Sequence, residues 1–542
     1  MASFSSWQGR KLHGDKELLT DVLKGKMGFN GFVVGDWNGH GQVEGCSNTK
    51  CAQSFNAGVD MFMVPENWKD LLRNTIRQVK SGEISETRLD DAVRNILKVK
   101  SRLGLFNGRV PHEFKENYLG DPKHMALARQ AVRESLVLLK NNNQLLPLNP
   151  SQHIGIIGDA AKKISSQTGG WTITWQGREN VNSDFINVNS IYEALEKAVI
   201  SSGGTIEFSN NGKFSKDPDV VIGVFGEEPY AEMLGDLKDV SFAATDPKFL
   251  PLLEAMNAQN IPTVSIFLSG RPLVVNSQLN ASDAFIAAWL PGSAVEGIAD
   301  VIFTKDNKIN FDFMGKLSYS WPKNKDQAVL NHTDSIYDPL FPFGYGLTYT
   351  SDLEIERIQT NQSDFRLDLL NVFLGAASIP GKEFVVTKAG PEFVLEDDYV
   401  SANSKVKITR FDYQRQDDAK NIVFMDDQSL QAFGISAESS VSLSSMNAPF
   451  YEIIMRVNSL ANPALYFSVG CGNNCRGSIE LPTELMTNWS TINIPLSCLE
   501  KDGLDKTKIQ VRGLFLSEEA INFDLNSIVI KDGKTTGKVI SC

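Results

Sequence analysis

GFVVGDW, residues 31–37, is a short apolar run of buried-strand type that ends on a carboxylate and an indole. Working outward, residues 51–57 can form a short helix, and VDMFMVP (59–65) reads as a second buried strand. Asn67–Ser81 is amphipathic. Ser85–Leu103 places apolar side chains at Leu89, Val93, Ile96, Leu97 and Val99, with Ser85 as N-cap, Glu86 in the first turn and Gly104 as the stop. Strands alternating with helices predict a parallel sheet covered on both faces. Residues 107–150 connect, with one helix expected around 122–140.

A second α/β series opens at HIGIIGD (153–159) and runs through DVVIGVFGE (219–227), PTVSIFLSG (262–270) and AFIAAWLPG (284–292). Helical stretches near 190–200, 247–257 and 294–303 separate these strands, and GKLSYSWP (315–322) and FPFGYGLTY (341–349) close the series near residue 350. Beyond that the character changes. EFVVTKAG (383–390), KVKITRFDY (405–413), YEIIMRVNS (451–459), ALYFSVG (464–470), STINIPLS (490–497) and IQVRGLFLS (509–517) alternate between turn signals, which predicts an antiparallel β-sandwich. The expected fold class is α/β followed by β.

The totals agree with several domains: 542 residues is long for one, and 42% hydrophobic content is ample for real cores. A net charge of −12 and a pI of about 5.2 give a surface that repels nucleic acid, and no Lys/Arg cluster reverses the sign locally. A neutral or small substrate is expected. No apolar run has the length of a membrane span. MASFSSWQGRKLHG (1–14) lacks the basic and apolar regions of a signal peptide. Of six cysteines, Cys46/Cys51 and Cys471/Cys475 form close pairs, while Cys498 and Cys542 stand apart. Their spacings do not make a four-ligand zinc set, so no metal is expected; a Cys46–Cys51 disulfide is, and with it an oxidising compartment.

Three segments can carry chemistry. Asp36 ends a buried strand, where active-site groups of parallel layers collect, and Trp37 beside it offers a face to a pyranose. The plainer reading is a helix-capping Asp beside a core Trp. GGWTITW (169–175) sets two tryptophans on a glycine-hinged loop, as stacking platforms or as ordinary packing. VFGEEPYAEMLGD (224–236) crowds Glu227, Glu228, Glu232 and Asp236 on one loop. Such crowding favours a carboxyl that keeps its proton, as a general acid must; alternatively the loop is a solvated acidic turn.

Together these segments resemble glycoside hydrolase family 3, specifically its β-glucosidases and exo-1,3/1,4-β-glucan glucohydrolases. GFVVGDW is similar to the nucleophile segment, GGWTITWQG (169–177) to the tryptophan loop and GEEPYAEMLGD (226–236) to the acid/base loop. SSWQGRKLHGDKELLTDVLK (5–24), FNAGVDMFMVP (55–65), LDDAVRNILKVKSRLGLF (89–106) and FPFGYGLTY follow in the family's order, so the resemblance covers residues 1 to about 350. It implies the C-terminal part of a (β/α)8 barrel at 1–110, a linker at 111–150, an α/β sandwich at 151–352 and a carbohydrate-binding-like β-sandwich at 353–542.

It also implies roles. Asp36 would be the nucleophile and Glu232 the acid/base of a retaining hydrolysis, with Glu227 behind it. Trp37 and Trp175 would clamp the leaving-group sugar with Trp171 nearby, and Phe4 and Trp7 would border the glucose. Phe4 stands where plant relatives have Tyr. The implied substrate is a β-glucan oligosaccharide or β-glucoside, with no metal or organic cofactor. A β-xylosidase is a further reading within the family, whereas the acid/base loop argues against an N-acetylglucosaminidase. The intact family member would be periplasmic or extracellular.

A (β/α)8 barrel takes about 250 residues. The resemblance therefore implies that earlier strands, with the Asp, Arg and Lys-His pair that grip the glucose, are not in this chain. Three explanations are open: a sequence that begins too late, a partner chain that supplies the missing strands, or a natural truncation. The alternative function is a catalytically incompetent fragment that binds carbohydrate or acts as a scaffold. In the sandwich, Phe411 and Tyr413 flank Asp412 and would share one strand face, as a sugar platform or as core.

Overall fold

The computed structural model describes the chain except residues 109–119, 233, 238, 245–248, 361–364, 368–370, 375–376, 379–381, 395–398, 402, 404, 412, 414–418, 426–427, 445, 460–462, 473–474, 534, 536 and 541–542. Two compact units result, Met1–Leu119 and Gly120–Cys542.

In the first unit, strand Val34–Trp37 pairs in parallel with Met61–Met63, as the apolar runs predict. Helices Ala52–Ala57, Trp68–Lys80 and Glu86–Arg102 follow the expected pattern, and a π-helix at Glu17–Lys26 precedes them. The Ser85 hydroxyl accepts from the Arg88 N–H and caps the last helix, which ends two residues before Gly104. Ala2, Leu19, Val33, Ala57 and Val59 form one small core; Ala52, Phe55, Ile84 and Ala92 form another. Each amphipathic helix leaves apolar side chains exposed: Leu72 and Ile76 are 54% and 46% exposed, Val93 and Leu97 44% and 45%.

What binds this unit together is one buried carboxylate. Asp60 takes Lys24 Nζ at 2.9 Å, Arg88 Nη2 at 2.8 Å and the Val33 N–H at 2.8 Å. Arg88 continues to the carbonyls of Phe55 and Val59. One charge thereby ties the approaches to both strands to helices Glu17–Lys26 and Glu86–Arg102.

The second unit opens on a six-stranded sheet in the order Val137–Asn141, Ala284–Trp289, Thr263–Leu268, Val220–Gly226, His153–Ile157, Thr205–Phe208. All neighbours are parallel except the first pair. Alternate side chains sort to two cores: Ile154, Ile156, Ile222, Val224, Val264 and Ile266 to one face, Ile157, Val221, Phe225, Phe267 and Phe285 to the other. The stretch read as a helix over 122–140 within a linker is corrected here. The helix is Pro122–Ser135, and Val137–Asn141 is a fully buried edge strand of this sheet. Its run of Val, Leu and Leu has strand character that the adjoining helix pattern masked. FPFGYGLTY guards that edge, the Leu347 N–H donating to the Leu138 carbonyl at 2.9 Å. The first part of the expected linker, 111–119, lies outside the described residues.

Two mainly antiparallel sheets make up most of the rest. Val406–Phe411, Ala419–Phe424, Ile521–Asp532, Pro449–Val457 and Ser490–Pro495 are successive neighbours in one; Lys382–Thr387, Gln431–Val441, Ile509–Ser517 and Leu465–Gly470 are so in the other. Ile453, Phe467, Phe515 and Phe523 are among the residues packed between them. Cys46–Cys51 and Cys471–Cys475 are disulfides, and Cys498 is disulfide-bonded as well; Cys542 lies outside the described residues. Neither reading of the Phe411/Tyr413 pair, sugar platform or core, is decided by the described side chains. The strand ends at Phe411, whose side chain is outside the described residues, and Tyr413 stacks on Trp489 at 3.8 Å.

Removing the Asp60 carboxylate leaves two cations desolvated beside each other. Asp60→Ala is expected to cost about 3–5 kcal/mol, measured as a shift of the urea midpoint for the first unit followed by its tryptophan fluorescence.

Candidate active site

Asp36 is half-buried near the end of strand Val34–Trp37. Its own N–H donates to His13 Nε2 at 2.8 Å, and one of its carboxylate oxygens accepts from the Trp37 N–H at 2.7 Å. His13 is buried, only 1% exposed. Because Nε2 accepts, the ring is neutral and its other nitrogen serves the Ser3 backbone. Burial pushes its pKa down to about 4; Asp36 opposes that shift, while His40 and Lys11 add to it. Gly39 admits the ring, since a Cβ there would lie 2.4 Å from His13 Cε1. A histidine wedged beneath the strand thus fixes the backbone that carries Asp36.

Around it, Trp37 and Trp7 are exposed indoles, 46% and 55%, and Phe4 lies under Lys11 Nζ at 5.1 Å. The Cys46–Cys51 disulfide closes the loop beyond Trp37, and Cys51 Sγ accepts from the Ser54 N–H at the start of helix Ala52–Ala57. His40, also buried and also shifted down by burial, donates to the Asn48 carbonyl at 2.9 Å. His13 and His40 were not among the residues expected from sequence. Their signal was only that histidine is scarce, six in 542, and that both flank the Asp36 strand.

In the second unit the tryptophan loop and the acidic loop are one assembly. Trp175 Nε1 donates to Glu232 Oε2 at 2.8 Å, and Trp171 Nε1 donates to the same oxygen at 3.2 Å. Gln176 closes the clasp from both sides: its amide donates to the Glu232 carbonyl at 3.0 Å and its oxygen accepts from the Ala231 N–H at 2.8 Å. Arg178 Nε reaches the Pro229 carbonyl at 2.9 Å. The indole rings are tilted by 57° with centroids 6.4 Å apart. Such contact requires glycine: a Cβ on Gly170 would sit 2.1 Å from the Tyr230 carbonyl oxygen. Trp171 has a positive φ of 57° and is 72% exposed, while Trp175 is half-buried.

The crowding of carboxylates expected on this loop is offset by cations from other elements. Glu227 Oε1 pairs with Arg271 Nη2 at 2.8 Å and Glu228 pairs with Lys163 Nζ at 2.6 Å. Glu232 is instead an exposed carboxylate, aimed by two rigid donors rather than neutralised by a cation. Tyr230 is held as a neutral phenol, pushed up to about 12 by burial and by Glu227. A cavity of about 150 Å³, lined by Glu227, Glu228, Tyr230, Gly170, Ser166 and Ser269 among others, lies behind the loop. An oriented surface carboxylate of this kind can give or take a proton on a ligand, and the two indoles beside it offer apolar faces.

Comparison with known proteins adds the following. The description "Glycosyl hydrolase family 3 N terminal domain" matches residues 1–99, "Glycosyl hydrolase family 3 C-terminal domain" matches 136–349, and "Galactose-binding domain-like" matches 384–530. The crystal structure of an exo-1,3/1,4-β-glucanase from a Pseudoalteromonas species is 39% identical, covers 100% of this chain and is covered over 68% of its own length, with a TM-score of 0.66. A lysosomal beta glucosidase of Dictyostelium discoideum is 30% identical over 63% of this chain and 45% of its own. A periplasmic beta-glucosidase of Salmonella typhimurium is 28% identical over 65% and 52%. The chain spans about half the length of the curated relatives it matches.

The buried, neutral His13 makes stability pH-dependent. Its folded pKa of about 4 lies below the unfolded 6.5, so the unfolded chain binds the extra proton between those values. Its contribution is complete above pH 6.5 and is lost as pH falls towards 4, by about 3 kcal/mol. Urea unfolding at pH 7 and at pH 4.5 should show a shallower pH dependence in His13→Gln than in the wild type. Equal slopes would refute the assignment.

Proposed function

The chain belongs to glycosyl hydrolase family 3, and on that premise we propose that the protein is a retaining β-glucosidase or exo-β-glucan glucohydrolase releasing glucose from non-reducing ends. The observation that carries this reading is the convergence of Trp171 and Trp175 on the Glu232 carboxylate. In the proposed reaction, Glu232 protonates the glycosidic oxygen as an Asp36 carboxylate oxygen attacks the anomeric carbon. The C–O bond to the leaving group breaks, the alcohol departs with the proton, and a glycosyl ester on Asp36 remains. Glu232, now a carboxylate, then takes a proton from water, which cleaves the ester and returns both residues to their starting states. The scheme uses two carboxyl groups and water, without a metal or organic cofactor.

The remaining side chains take supporting parts in this reading. In this reading Trp37, Trp171 and Trp175 are assigned to the leaving-group sugar, and Phe4 and Trp7 to the glucose. His13 keeps the Asp36 backbone in place from beneath. The substrate is a β-1,3- or β-1,4-linked gluco-oligosaccharide or a simple β-glucoside, in keeping with the glucanase and glucosidase relatives. The disulfides Cys46–Cys51 and Cys471–Cys475 support a periplasmic or extracellular setting.

Hydrolysis of p-nitrophenyl β-glucoside tests the roles. Asp36→Asn is expected to lose about 10³-fold or more in kcat, because no nucleophile remains. Glu232→Ala is expected to lose about 10²–10⁴-fold and to regain turnover with added azide, which needs no general base. A folded, monodisperse wild-type protein that turns nothing over would favour a carbohydrate-binding or scaffold protein instead.

A further inference from the structure

The loop that carries Glu232 leaves the end of strand Val220–Gly226 and returns on itself at Gly235, where the Gly235 N–H donates to the Ala231 carbonyl at 2.9 Å. An excursion of this kind has no regular ladder of its own, so something else must hold its shape. The two tryptophans grip only its tip. Lys163, Arg178 and Gln176 hold the loop at Glu228, Pro229 and Ala231, and its two ends are joined by a side chain from the neighbouring strand's end, Arg271, three residues beyond Thr263–Leu268.

The Arg271 guanidinium meets the loop at three places. Nε and Nη2 donate to Glu227 Oε1 at 3.0 and 2.8 Å, where the loop begins. Nη1 donates to the Gly235 carbonyl, where it ends. The guanidinium carbon lies 4.2 Å from the Tyr230 ring centroid, midway between. Tyr230 in turn is seated against bare backbone: a Cβ on Gly235 would lie 2.4 Å from Tyr230 Cδ2, and one on Gly270 would lie 2.5 Å from its hydroxyl. The Glu227 N–H donates to the Leu268 carbonyl at 3.0 Å, so the carboxylate under Arg271 is anchored to the sheet as well.

We propose that Arg271 is a positioning residue for Glu232: a single planar fork that pins the two ends and the middle of the acid/base loop, so that the carboxyl stays where its proton is needed. The inference rests on the reading of Glu232 as acid/base. Only a guanidinium brings two donors together on one carboxylate oxygen at one end of the loop, a third donor to the other end and a flat face to the ring. A lysine in its place offers its donors from one point and has no flat face for the ring. Arg271 touches no substrate in this arrangement, and its effect passes through the loop.

This predicts a loss that depends on how much the leaving group needs a proton. With 2,4-dinitrophenyl β-glucoside the phenolate departs unaided, and kcat/KM reports bond cleavage without the acid. With 4-methylphenyl β-glucoside the same parameter depends on it. Arg271→Gln is expected to lower kcat/KM about 30–100-fold on the methylphenyl substrate and less than about 3-fold on the dinitrophenyl one, a part of the roughly 10²–10⁴-fold that general acid catalysis contributes. Arg271→Lys should fall between Arg271→Gln and the wild type. The ratio of the two substrates is internal to one preparation and so does not depend on how much of a variant is folded. Equal losses on both substrates, or no loss on either, would overturn the positioning role. Glu232→Ala run beside them keeps the two claims apart: if that variant shows no leaving-group dependence, or the wild type does not turn over, it is the acid/base reading that falls.

Discussion

A carboxyl group can act on a bond only if its oxygens are held where that bond will be, and a surface loop does not hold them by itself. In the second unit that holding is done by two indole N–H groups meeting on one oxygen of Glu232. Everything around them serves the approach of the two loops. Gly170 lets the tryptophan loop touch the Tyr230 carbonyl, Gln176 zips the backbones together, and Lys163 and Arg271 take up the negative charge of Glu228 and Glu227. Tryptophan suits this task because its donor is fixed to a rigid ring and carries no charge.

The first unit solves a similar problem differently. Asp36 ends a strand, and what is secured there is its backbone, through a buried His13 whose neutral form can accept the Asp36 N–H. Burial holds that ring in the neutral form, so the structural role and the depressed pKa have one cause. Farther from the site, Asp60 gathers Lys24, Arg88 and the Val33 amide, fixing the strand that leads into Asp36. The buried charge here joins elements that the small cores of this unit leave loosely connected.

Much of this was legible in the residues. Apolar runs ending on polar groups mark strands of both α/β series, because buried parallel strands need hydrophobic side chains on both faces. Ser85 declares its helix start through cap chemistry that is local in sequence. What could not be read was non-local. Val137–Asn141 looks like the end of the preceding helix until a sheet edge is present to pair with it. The clasp joins Trp171 and Trp175 to a residue some sixty positions away, and Arg271 joins Glu227 across forty-four, so neither leaves a periodic trace. Tyr413 fits a strand pattern, yet stacking on Trp489 takes it out of one.

In the proposed mechanism Asp36 forms a covalent bond to the sugar while Glu232 manages protons. Incubating the protein with 2,4-dinitrophenyl 2-deoxy-2-fluoro-β-glucoside slows the second step more than an activated first step. Peptide mass mapping should then find one fluoroglucosyl group per chain, on the peptide containing Asp36. A label on another carboxylate, or steady hydrolysis of glucosides with no label accumulating anywhere, would contradict it.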